Sequence, residues 1–168
     1  MGNGINKVLP DLYLGNLKDA RDKDLLMQHN ITHILSIHDT AAPVLEDMTY
    51  LCIAAADHRK QNLVAGVSRS VTLVVAYIMT VTGRGWVESL AAVRAARPCA
   101  GPNLGFLRQL DEFENTELKE YRTWWKNQYG MHPLHSNDEE EVEKLLMQRF
   151  KGNDLPTIIT KSLVTSGT

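Results

Sequence analysis

A chain of 168 residues with an apolar fraction of 43% is long enough to bury one core and too short for several domains. Its 18 basic and 20 acidic residues leave a formal charge of −2, and no basic stripe stands out, which argues against a nucleic-acid partner. No apolar run is long enough to cross a membrane, the start lacks the layout of a secretory signal, and Cys52 and Cys99 have no metal-ligand spacing, so a reducing, cytoplasmic setting without a disulfide is expected.

In chain order, Met1-Gly2-Asn3-Gly4 exposes Gly2 once the initiator Met is removed, although Asn6 stands where the N-myristoylation pattern takes Ser or Thr. Leu12-Tyr13-Leu14 reads as a short strand. Lys18 to His29 reads as a charged helix burying Ala20, Leu25, Leu26 and Met27, with Asn30 placed to close it. Ile31 to Ile37 and Tyr50 to Ile53 are β-rich runs separated by a loop marked by Asp39, Pro43 and Asp47, so the first third alternates strand and helix as an α/β sheet does. From Asp57 to Val64 the chain is polar without an apolar period and reads as a loop.

The loop runs into Val64-Ala65-Gly66-Val67-Ser68-Arg69-Ser70. Glycine and serine ahead of an arginine at a helix start offer backbone N–H groups, a guanidinium and the positive end of a helix dipole to one oxyanion. The ligand suggested is a phosphate. Alternatively, Arg69 is a surface arginine and Ser70 a plain N-cap. Ser70 is expected to cap an almost wholly apolar helix from Val71 to Val81, closed by Gly83; such a helix must be buried.

Trp86 to Arg97 makes a second helix stopped by Pro98, and Pro102-Asn103 opens a third, carrying Leu104 through Trp125 and ending near Gly130. Ser136-Asn137-Asp138-Glu139 is a capping-box start for a last amphipathic helix with Val142, Leu145, Leu146 and Phe150 on one face. Past Asn153 the sequence, rich in Ser and Thr, reads as a weakly ordered tail. His33 and His38 lie in or beside a strand, and His132 with His135 has too few partners for zinc, so neither a metal nor a cofactor is expected.

With Gly-x-x-Arg, the apolar helix, Pro102-Asn103-Leu104-Gly105-Phe106 and Ala54-Ala55-Ala56-Asp57 together, the chain resembles the small atypical dual-specificity protein phosphatases over residues 1 to about 130. The stretches Val8 to Asn16, Thr32-His33-Ile34 and Ala76 to Thr82 are similar to its myristoylated branch associated with the JNK pathway. The resemblance implies a protein-tyrosine-phosphatase-like α/β sheet flanked by helices, with a C-terminal helix and tail from Met131. It implies phosphomonoester hydrolysis of signalling phosphoproteins through a phosphocysteine, without metal, in the cytoplasm, at the inner face of the plasma membrane through acylated Gly2, or in the nucleus.

Carried over residue by residue, the resemblance makes Arg69 the bidentate phosphate ligand and Val64 to Ser70 the anion nest. Ser70 becomes the hydroxyl that assists thiolate departure, and Asp57 the general acid. Asp57 equally fits an ordinary turn aspartate.

The family pattern is His-Cys-x-x-Gly-x-x-Arg, and here Asn62 and Leu63 stand at its first two positions. Six residues before an arginine is the geometry the chemistry needs; Cys52 is followed at that distance by His58 and Cys99 by Gly105, so both read as small hydrophobes. Gly66 lies nine residues after Asp57, a span of at most about 30 Å that has no room for the helix and central strand the family places there. The sheet is therefore expected to lack its central strand, exposing part of the Val71–Val81 helix. Three readings stay open: a shortened product of a gene for an active phosphatase, a catalytically dead phosphoprotein-binding relative or scaffold, and an unstable fragment.

Overall fold

The computed structural model describes residues 4–55, 68–130, 133–150 and 162–166. Strands β1 (Asn6–Leu9) and β2 (Leu12–Asn16) form an antiparallel hairpin in which Asn6 faces Leu14 and Lys7 faces Tyr13. Asn16 and Asp19 then exchange bonds: Asn16 N–H donates to Asp19 Oδ2 at 2.8 Å, and Asp19 N–H donates to Asn16 Oδ1 at 3.0 Å. This pins a single 3-10 turn at Asp19–Arg21 and splits off the expected helix, which runs only from Lys23 to Gln28 as α1. Asp22 supplies its N-cap, accepting from Leu25 N–H at 3.0 Å, and Asn30 closes it in the left-handed region at φ 54°. Leu26 is buried as expected, whereas Met27 is exposed because the short helix turns it to solvent.

Strands β3 (His33–His38) and β4 (Thr49–Ala54) run parallel, paired from His33 opposite Thr49 to His38 opposite Ala54. Helix α2 (Arg69–Val81) begins one residue before its expected cap: Ser68 is the N-cap and Ser70 lies inside the first turn. Helix α3 (Trp86–Ala96) stops before Pro98. The expected third helix is two, α4 (Leu104–Thr116) and α5 (Leu118–Tyr129), broken at Glu117. Apolar residues continue through the break, so their spacing does not reveal it. Helix α6 (Pro133–Phe150) starts three residues before Ser136, with proline at the first position, where its missing N–H has no intrahelical partner to lose.

The sheet is five-stranded in the order β1-β2-β5-β3-β4, and its central member, β5 (Ser162–Ser166), comes from the segment expected to be a weakly ordered tail. It pairs in parallel with β2 and with β3. Val164 faces Leu14 on one side and Leu35 on the other. The helix and strand that the family places between Asp57 and Gly66 are absent from the sequence, yet the centre of the sheet is filled by a strand that follows α6. Part of α2 stays exposed as expected: Leu73 is 37% exposed, while Val71, Val74, Val75, Ile78 and Met79 are buried.

Strand alternation divides the core. Leu9, Leu14 and Ile37 join Val71, Val74, Val75, Ile78 and Met79 of α2, Leu90, Ala92 and Val93 of α3 and Val142 and Leu145 of α6 in the larger cluster. Tyr13 and Ile34 face the other way, into a smaller cluster with Ala20, Leu26 and Ile31. The five buried apolar residues of α2 are each worth about 1.5–3 kcal/mol of burial, enough to fix the helix firmly on the sheet. Arg97 at the end of α3 is buried and donates from Nη1 to Asn6 Oδ1 at 2.7 Å and to the carbonyls of Gly4 and Leu14, both at 3.2 Å, locking the N-terminal stretch to the hairpin. Cys52 is half-buried as a small hydrophobe can be; Cys99, in the turn after α3, is exposed and packs no core.

Candidate phosphate-binding site

Parallel strands end together, and open α/β sheets bind ligands beyond the carboxyl ends of their strands. Here β3 ends at His38, β4 at Ala54 and β5 at Ser166, and α2 begins beside them at Arg69. Arg69 joins these ends. Its Nη1 donates to Asp39 Oδ1 at 2.9 Å, just past β3, and to the Ala55 carbonyl at 2.7 Å, just past β4. The residue is only 8% exposed, which excludes the surface-arginine alternative.

Ser68 ties the same corner to α4. Its hydroxyl accepts from Asn103 N–H at 2.9 Å, while Asn103 Oδ1 caps α4 by accepting from Phe106 N–H at 2.8 Å. The Ser68 carbonyl accepts both from Thr72 N–H at 3.0 Å and from Thr72 Oγ1 at 2.7 Å. Ser70 is fully buried, and its Oγ has no hydrogen-bond partner among the described residues. Ser70 lies inside the first turn of α2, whose N-cap is Ser68, so it does not fill the expected capping role.

Of the residues expected at the site, the structure brings together Ser68, Arg69 and Ser70. Asp57, Val64, Ala65, Gly66 and Val67 lie outside the described residues, as does Gly2. Asp39 is the residue that sequence reasoning passed over: it marked a loop, and only its place one residue past a parallel strand pointed to the site. A guanidinium fixed at a helix N-terminus can bind an oxyanion, and the Asp39 carboxylate holds that role here.

Residues 64–116 match the family model described as the dual specificity phosphatase catalytic domain. Dual specificity protein phosphatase 22-B of Danio rerio is 59% identical over 179 residues, covering 92% of this chain and 97% of that protein. The chain belongs to the dual specificity protein phosphatase family. Human dual specificity protein phosphatase 22 is 52% identical over 171 residues, covering 87% of this chain and 92% of its own length.

Gaps tell where this member of the family departs from those relatives. Since 92% of 168 residues is about 155, about 24 of the 179 aligned positions with the Danio rerio protein stand opposite gaps in this chain. The family-model match begins at residue 64, where the sequence places the interruption. A crystal structure of DUSP15 superposes with a TM-score of 0.69 at 42% identity, covering 78% of this chain and all of that one. A crystal structure of the human tyrosine phosphatase-like serine/threonine/tyrosine-interacting protein gives 0.62 at 28% identity, covering 70% of this chain and 99% of its own.

Proposed function

We propose that this dual-specificity phosphatase-family chain recognises phosphorylated side chains of signalling proteins at the Arg69 corner and, in the form given by its sequence, holds them without hydrolysing them. One observation carries the reading: no thiol stands six residues before Arg69, where the chain has Leu63. Family members break the ester by forming a sulfur–phosphorus bond, so the arginine can stabilise charge here but no cysteine is placed to attack.

A binding assay with a phosphotyrosine peptide tests recognition. Saturable binding that falls at least about tenfold in Arg69→Ala, and nearly as far in Arg69→Lys, is the expected result. Equal binding by all three chains would contradict it. Asp57 as general acid and Val64 to Val67 as the nest belong to the same proposal and rest on the family pattern.

The gaps favour a second reading for the gene: the present chain is a shortened product, and a longer one carries the missing two dozen residues with their His-Cys pair. Sequencing transcripts across the codons for Asn62 to Val64 separates the two. The resemblance to the acylated branch supports myristoylation of Gly2, with peripheral attachment to the inner face of the plasma membrane, a cytoplasmic or nuclear pool and a role in the JNK pathway. Incorporation of a myristate analogue, lost in Gly2→Ala, is the expected outcome for the acyl group.

A further inference from the structure

Strand β5 is the only element joining two otherwise separate ribbons among the described residues: β1 with β2, antiparallel, and β3 with β4, parallel. Its pairs run from Leu163 opposite Tyr13 to Ser166 opposite Asn16 on one side, and from Ser162 opposite His33 to Ser166 opposite Ile37 on the other. Paired strands lie about 4.8 Å apart, so β2 and β3 stand roughly 9.6 Å from one another, room for one strand and no more. Both facing edges would otherwise present unpaired N–H and C=O groups.

The occupant is unusual in its connection. Strand β5 follows α6, whereas Arg69 at the start of α2 follows β4 in the sequence. No short link joins β5 to α2, so the strand can leave or enter without dragging Arg69 with it. Its sequence, Ser162-Leu163-Val164-Thr165-Ser166, is uncharged, free of proline and centred on two β-branched residues, which suits an inserted strand.

We infer that the space between β2 and β3 is a strand-acceptor slot, and that residues 162–166 occupy it as a separable insert that the same sequence supplied in trans can replace. The recognition is β-augmentation on two edges at once: backbone bonds to both neighbours, in parallel register, with one strand accepted.

Two experiments on the full chain test it. In the first, hydrogen exchange of the unaltered protein is followed at Leu163, Val164 and Thr165 and at Leu14 and Leu35. The β5 amides should be protected by about 100-fold over an unstructured peptide. Exchange of β5 at unstructured rates while β2 and β3 stay protected would overturn the slot.

In the second, Val164→Pro and Thr165→Pro are combined. Consecutive residues of a doubly flanked parallel strand bond opposite neighbours, so the pair removes one donor from each ladder. A labelled peptide of residues 160–168 should then bind the double variant one to one, restoring its thermal transition if that has been lost. It should bind the unaltered chain at least about tenfold more weakly, because the slot there is already filled. Binding by the peptide carrying both prolines, or neither binding nor restoration by the unaltered peptide, would overturn the inference.

Discussion

The Arg69 guanidinium, itself almost fully buried, lies 2.9 Å from Oδ1 of the largely exposed Asp39, so the cation proposed to bind a phosphate already faces a carboxylate. Phosphate binding at this corner must compete with that pair. Asp39→Asn keeps the shape and removes the competitor, and it is expected to tighten phosphotyrosine-peptide binding by about two- to fivefold, the scale of a partly exposed ion pair. Titration calorimetry checks it; weaker binding by the variant would show that Asp39 positions the arginine more than it blocks it.

The two serines flanking Arg69 should respond oppositely to removal of their hydroxyls. Ser68→Ala strips the acceptor from Asn103 N–H at the start of α4 and is expected to cost about 1–2 kcal/mol. Ser70→Ala removes a buried oxygen that has no partner among the described residues, so stability should stay level or rise by up to about 1 kcal/mol. Urea denaturation of the two variants against the unaltered chain reads the difference directly.

Tyr77 of α2 donates its hydroxyl to Asp138 Oδ2 of α6 at 3.0 Å, and burial together with the Asp138 carboxylate raises the phenol's pKa. Tyr77→Phe loses that link but keeps the ring, edge-on to Trp125 with centroids 5.8 Å apart. A loss of about 1–2 kcal/mol in urea denaturation is expected, with α6 amides exchanging faster.

Tyr13 makes a stability prediction at alkaline pH. It is fully buried on β2 with its hydroxyl 3.1 Å from His29 Nδ1, and burial, reinforced by the Asp11 carboxylate, lifts its pKa from 10.0 to about 12. Above pH 10 the unfolded chain releases this proton while the folded chain keeps it, so stability, fully present below 10, falls as the pH rises towards 12. Each unit of separation is worth about 1.4 kcal/mol. Urea midpoints at about pH 9 and about pH 11.5 should drop more steeply for the unaltered chain than for Tyr13→Phe, with Tyr77 supplying the remaining slope in both.

Local signals were legible wherever the chain decides structure over a few residues. Asn30 takes the left-handed closing position expected of it, Pro98 ends α3, Asn103 caps α4, and the apolar stretch after Ser70 becomes the buried α2. Misreadings came where partners far apart in sequence decide. The reciprocal bonds of Asn16 and Asp19 shortened α1, and β1 is too brief to show a period before Pro10. Strand β5 is five residues whose order depends on β2 and β3, more than a hundred positions earlier, so nothing in its own composition separates it from a loose tail. At the site, Arg69 could be read from its motif, but Asp39 gains meaning only when β3 carries it to the same corner.

Phosphate release from a phosphotyrosine peptide, measured with the purified full-length chain beside Arg69→Ala, tests the central claim most directly. The account predicts that the unaltered chain binds the peptide and liberates no inorganic phosphate above the level of the variant. Steady release by the unaltered chain that disappears in Arg69→Ala would contradict it, and would require a nucleophile other than the absent cysteine.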